Sequence, residues 1–126
     1  MPNLEQTIAA YFASTRAMDA DGFVHSFAPD AISHDPVGAP PLHGHEAIRG
    51  FITHVFSGFE SAGLTEDDVF VCGNSAAVKW TGRGRTKTGH DIIFEGIDVF
   101  EGNSEGKIQL LRAFWDTAPV MAAMQG

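Results

Sequence analysis

Along residues 3–18, apolar or small side chains return every three or four positions, at Leu4, Ile8, Tyr11, Phe12 and Thr15. That period predicts an amphipathic helix, and Asn3 is of the right type to cap its first turn. Tyr11 falls on the buried stripe, where a tyrosine packs its ring and seeks a partner for its hydroxyl. Asp19 or Asp21 then caps a short second helix through Phe23 and Phe27, stopped near Pro29. A short strand is expected over 31–34. A third helix is expected over 45–57, with Ile48, Phe51, Ile52 and Val55 inward and Arg49 outward. After Gly63 the period drops to two. Four strand-like runs, 64–71, 75–85, 91–100 and 107–115, are separated by Gly73-Asn74, by Lys87-Thr88-Gly89 and by the polar stretch 102–106. Short turns between consecutive strands predict an antiparallel meander, since parallel neighbours need long crossovers. Helices first and strands afterwards indicate an α+β fold, one domain over 1–126, with N-terminal helices covering one face of a curved antiparallel sheet. Residues 119–126 read as a loose tail or a short terminal turn.

The same alternation singles out an acid. Ile92, Phe94, Gly96, Asp98 and Phe100 share one face of their strand, so Asp98 lies between apolar side chains beside a glycine gap. The gap either admits a ligand or marks a bulge. On the next strand Leu111, Ala113 and Trp115 share a face. A carboxylate in such surroundings is costly unless paired. Arg112 is the nearest partner in sequence; without it Asp98 stays protonated. A second acid, Asp35, precedes Pro36 in the rigid segment His34-Asp35-Pro36-Val37-Gly38-Ala39-Pro40-Pro41-Leu42-His43-Gly44. A residue before proline favours extended geometry, which puts Asp35 at a strand end. It serves either as an Asx-type turn residue or as a desolvated carboxylate, a better proton acceptor than an exposed one.

Composition narrows the partners. Sixteen acidic residues against eight basic ones, a net charge of −8, argue against nucleic acid and anionic membranes. No apolar span is long enough for a transmembrane helix, and Met1-Pro2-Asn3-Leu4-Glu5 lacks the features of a secretory signal. The single cysteine, Cys72, excludes an intramolecular disulfide and fits a reducing compartment, so a cytoplasmic location is expected. Ten phenylalanines and two tryptophans beside one tyrosine favour a dry aromatic interior. His34, Asp35, His43 and His45 lack the spacing of a metal site, and none is expected.

With Tyr11, Asp35 and Asp98 in view, the chain resembles the bacterial steroid delta-isomerases of the nuclear-transport-factor-2-like (NTF2-like, SnoaL-like) superfamily. The likeness runs from the Tyr11 helix to Trp115 and is densest from Asp35 to Gly44, continuing into Glu46-Ala47-Ile48 and Phe51. Gly106-Lys107-Ile108 and Ala113-Phe114-Trp115 match as well. The resemblance implies a cone of helices on a strongly curved sheet and an apolar, steroid-like or polyketide-like substrate. It also implies a homodimer packed through outer sheet positions such as Ile93, Ile97, Val99 and Phe114, and no cofactor. Asp35 would be the shuttling base, with Tyr11 and a protonated Asp98 as donors to a dienolate oxygen. This family is the standard example of a carboxylic acid held neutral to donate a hydrogen bond, so that logic is carried over with the likeness. Substrate-binding positions expected on this basis are Phe27, Val37, Phe51, Ile52, Trp80, Phe94, Leu111, Ala113 and Trp115. At Phe27 and Ile52 some members carry further tyrosines that support the first. Lys79, Arg83 and Arg85 make the 75–85 strand more basic than a steroid pocket requires, unless alternation sends them outward. A cyclase or epoxide hydrolase on the same fold, or a non-catalytic carrier of apolar ligands, is the alternative.

Overall fold

The computed structural model describes residues 2–125. Helix α1 spans Leu4–Arg16, and Asn3 and Gln6 close a capping box at its start. Such a cap stabilises a helix by about 1 kcal/mol. Tyr11 and Phe12 on its buried face meet Phe23 of α2 (Ala20–His25), Phe27 and Phe100, with Tyr11 ring-centroid separations of 4.8–5.9 Å. Burying each of these rings contributes about 1.5–3 kcal/mol, so the cluster anchors both helices to the sheet. Strand β1 (Phe27–His34) and the two-residue β2 (Leu42–His43) lead into α3 (Gly44–Ser57), which buries Ile48 and Ile52. Strands β3 (Phe59–Cys72), β4 (Ser75–Thr86), β5 (Asp91–Gly102) and β6 (Ile108–Trp115) form the expected meander. The sheet order is β2-β1-β6-β5-β4-β3, and the sheet stays open.

Several elements depart from the sequence reading: β2 was not expected, and β3 begins at Phe59 and not at residue 64. Phe27, expected in the second helix, belongs to β1, because Ile108 pairs with it and the Ile108 amide bonds the Ser26 carbonyl at 3.0 Å. Strand β1 runs parallel to β6, so the sheet is mixed, and its register shifts between Phe27 and Ile32 around Pro29. A proline within a strand is tolerated at such an irregularity. The expected tail is instead helix α4, Thr117–Gln125, with residue 126 outside the described residues. Asp116 accepts a bond from the Ala118 amide at 3.1 Å, and Pro119 sits in the first turn, where its missing donor costs little. Val120 and Met124 then pack against Phe59 and the neighbouring apolar side chains.

Candidate active site

Between the helices and the concave face of the sheet lies a cavity of about 310 Å³, at the small end of the range for ligand sites. Tyr11, Asp35 and Asp98 all line it. They arrive from different elements. Tyr11 comes from the middle of α1, Asp35 follows the last residue of β1, and Asp98 projects from β5 opposite the small Ala113 of β6. Asp35 precedes a cis Pro36, and the chain then returns to the sheet, where the Val37 amide bonds the Ala113 carbonyl at 2.9 Å.

Each group is perturbed by its surroundings. Asp35 is only half-buried as a residue, yet loss of water around its carboxyl raises the pKa to about 6. A 2.7 Å hydrogen bond donated by the Trp115 indole opposes that rise. The carboxylate thus bonds the neighbouring strand. Asp98 is 1% exposed, and burial, reinforced by the Asp35 charge, pushes its pKa well above the carboxylate range. Among the described residues it makes no ion pair; Arg112 lies exposed at the position paired with Val99. Burial, then the charges of Asp98 and Asp35, raise the Tyr11 phenol. Crowding dehydrated acids together separates their titrations, and all three groups are displaced upward from their ordinary values.

The glycine gap on β5 is filled by an indole. Trp80 of β4 pairs with Gly96, and Trp115 of β6 pairs with Gly96 from the other side. A Cβ on Gly96 would meet Trp80 Cζ2 at 2.5 Å and the Phe114 carbonyl at 2.6 Å. Gly82 does the same for Phe94, whose ring would lie 2.6 Å from an added Cβ. Trp80 and Phe94 therefore meet edge to face at 5.5 Å and form an aromatic floor. The Trp80 N–H is directed toward Asp98 and opposes its pKa rise, but the pair falls outside hydrogen-bonding geometry, so Nε1 and Asp98 Oδ2 both lack a partner.

Residues 8–111, a span containing Tyr11, Asp35 and Asp98, match the SnoaL-like domain family. The chain belongs to this family. A steroid delta-isomerase from Nocardioides simplex is 26% identical to this SnoaL-like protein over 113 residues, 89% of each chain. An NTF2-like protein of unknown function from Burkholderia pseudomallei superposes over the full length of both chains with a TM-score of 0.86 at 21% identity. SalBIII, an epoxide hydrolase/cyclase-like enzyme in pyran ring formation in the polyether salinomycin, superposes with a TM-score of 0.79 at 25% identity over 89% of each chain.

Of the residues expected to bind substrate, Phe51, Ile52, Trp80, Phe94 and Trp115 of this SnoaL-like domain line the cavity. Phe27, Val37, Leu111 and Ala113 do not. Phe27 packs behind Tyr11 in the core, Leu111 and Ala113 are sealed beneath other side chains, and Val37 is 44% exposed beyond the turn. Alternation places a residue on a face but does not say what covers it. The sequence reading missed Phe23 and Thr15 from the first two helices and Val120, Met121 and Met124 from α4. The i, i+4 spacing of Val120 and Met124 behind Pro119 was the available signal for that last wall. Lys79 and Arg85 point away from the cavity and pair with Asp67, Glu95, Asp91 and Glu60. His45 contacts the Phe27 carbonyl through Nε2 at 2.8 Å, outside the cavity lining.

Proposed function

We propose that this SnoaL-like protein is a small-molecule isomerase of the steroid delta-isomerase type, acting on a β,γ-unsaturated ketone. Ionised Asp35 removes the proton from the carbon between carbonyl and alkene, and the electrons move to the carbonyl oxygen as a dienolate. Tyr11 and neutral Asp98 donate hydrogen bonds to that oxygen. Asp35 then returns the proton to the far end of the diene, giving the conjugated ketone. No group is consumed. The observation that carries the reading is one apolar cavity holding an aspartate poised near 6 beside a second, sealed aspartate whose pKa is raised well above its ordinary value. The likeness to the Nocardioides isomerase supports it. In this reading the substrate is flat and apolar, and the working form is a homodimer joined through the outer sheet faces.

The test is the rise in conjugated-enone absorbance on 5-androstene-3,17-dione, measured beside thermal unfolding. Asp35→Asn should abolish most turnover while the fold and ligand binding survive. Asp98→Asn, which keeps a donor, should do less harm than Asp98→Ala, whose expected loss is about 10²–10³-fold. An inactive wild type, or losses of turnover that track losses of melting temperature, would overturn the assignment. The likeness to SalBIII favours one second reading, in which neutral Asp98 protonates an epoxide oxygen while Asp35 activates the attacking group. Turnover of a simple epoxide with none of the enone would select it.

A further inference from the structure

The helices are not all held to the protein in the same way. The Thr15 hydroxyl of α1 accepts a bond from the Leu64 amide of β3 at 2.9 Å, and Arg16 donates to the Leu64 carbonyl at 2.8 Å. His45 of α3 contacts the Phe27 carbonyl of β1, and Arg49 of α3 pairs with Asp21 of α2. Among the described residues, no hydrogen bond or ion pair joins α4 to another element. It hangs from the end of β6 by the single residue Asp116, whose carboxylate accepts from the Ala118 amide in its first turn. Its grip is apolar. Val120 is its one buried side chain, packed with Phe59 and Ile92, and Met124 fills the notch beside Gly58. An element with few buried contacts and no bond to its neighbours opens at far lower cost than the core.

The cavity gives that looseness a use. Tyr11 and Asp98 are 2% and 1% exposed, so the acidic end is sealed from solvent. The exposed members of the lining are His54 on α3, Met121 on α4 and Arg83 on β4. The mouth therefore lies where α4 faces α3 and β4, and a rigid ligand has to pass that rim to reach the acids. We propose that α4 is the gate of the cavity, swinging about Asp116 to admit a ligand past Met121 and closing on it with Val120 and Met124. The gate carries no charged side chain, so it favours uncharged apolar guests, which have little hydration to lose on passing it. The inference rests on the cavity as a ligand site and not on the reaction that follows.

Hydrogen exchange on the full chain reads the gate directly, with 2-naphthol as a flat, uncharged guest. In the free protein the α4 amides should exchange about 10-fold or more faster than the mid-helix amides of α1, and 2-naphthol should slow them. A chain end that merely frays would exchange fast with and without 2-naphthol, and that result would overturn the proposal. Amides of α4 as slow as those of α1 in the free protein would overturn it too. A reversible lock then tests passage. In a Cys72→Ser background, Gly58→Cys and Met124→Cys put two thiols across the gate, where a Cβ added at 58 lies 3.7 Å from Met124 Cγ, close to disulfide reach. Trp80 and Trp115, the two tryptophans of the chain, both line the cavity, so stopped-flow tryptophan fluorescence follows uptake of 2-naphthol. The oxidised protein should take it up about 10-fold or more slowly than the same protein reduced. Release should slow as well, so affinity changes less than either rate. Equal rates in the oxidised and reduced forms would overturn the gate. The isomerase reading fails separately: no turnover on the enone, with the exchange and locking responses intact, leaves the gate standing.

Discussion

Asp35 contributes a pH dependence to stability and, in the isomerase reading, to turnover. Its pKa is about 6 in the folded chain against 3.8 for the free group. Between those values the native state holds a proton that the unfolded state has released. Stability therefore falls as pH rises through the window and stays lower above it. Asp35→Asn removes the buried charge while keeping an acceptor for the Trp115 indole. The variant should melt higher than wild type at pH 8, with the difference shrinking from pH 6 to pH 4. Urea unfolding at several pH values would measure this. A variant less stable at pH 8 would mean that Asp35 is held for its turn. In the isomerase reading, kcat/KM should climb through about pH 6 and then level off as the base ionises.

At the scale of elements, β5 is the strand on which the cavity depends. Its concave face reads Ile92, Phe94, Gly96, Asp98, Phe100, so one strand supplies wall, gap and acid in turn. The gap is what lets tryptophans from both neighbouring strands share a single level. Gly96→Ala puts a methyl group against the Phe114 carbonyl and the Trp80 ring, so one of them must shift. Overpacking of this kind costs about 1–3 kcal/mol. The variant should melt lower, and its tryptophan fluorescence should shift as the indole moves. Unchanged melting and emission would show that the sheet absorbs the methyl group. Helix α4 is the other element the cavity needs. It carries no charged side chain, and it closes the wall with Val120, Met121 and Met124. Methionine adapts to irregular shapes, which lets this wall follow the contour of the cavity.

For the whole molecule, the distribution of surface character matters more than net charge. The outer sheet face exposes Ile93 at 72%, Ile97 at 46% and Phe114 at 45%. Lys79 pairs with Asp67 and Glu95 at 3.1 and 3.2 Å, within the same outer surface. A sheet covered by helices on one side leaves its other side wet or packed against a partner. Multi-angle light scattering at micromolar concentration should give about twice the 13.5 kDa chain mass, and Ile93→Glu should halve that value while leaving the chain folded. A monomeric wild type would rule out the paired sheets. Among the described residues no helix is long and apolar enough to cross a membrane.

Local patterns settled a good deal of this architecture. The stripe from Leu4 to Thr15 and the Asn3 cap define α1, and strict alternation puts Asp98 on the face that the structure buries. Periodicity works there because it is a property of neighbouring residues, and because one face of each element is dry. Long-range pairing decided the rest. Nothing near Phe27 announces that Ile108, far along the chain, will draw it into a parallel strand. Nothing near Asp35 names Trp115 as the donor to its carboxylate, and the inward turn of Trp80 depended on a hairpin register that its own segment leaves open. The tail became a wall because apolar surface around Phe59 was waiting to be covered. Sequence alone determined which side chains could carry acid–base chemistry. Only the tertiary structure brought Tyr11, Asp35 and Asp98 to one cavity and stripped away the water around them, which is what moves their pKa values.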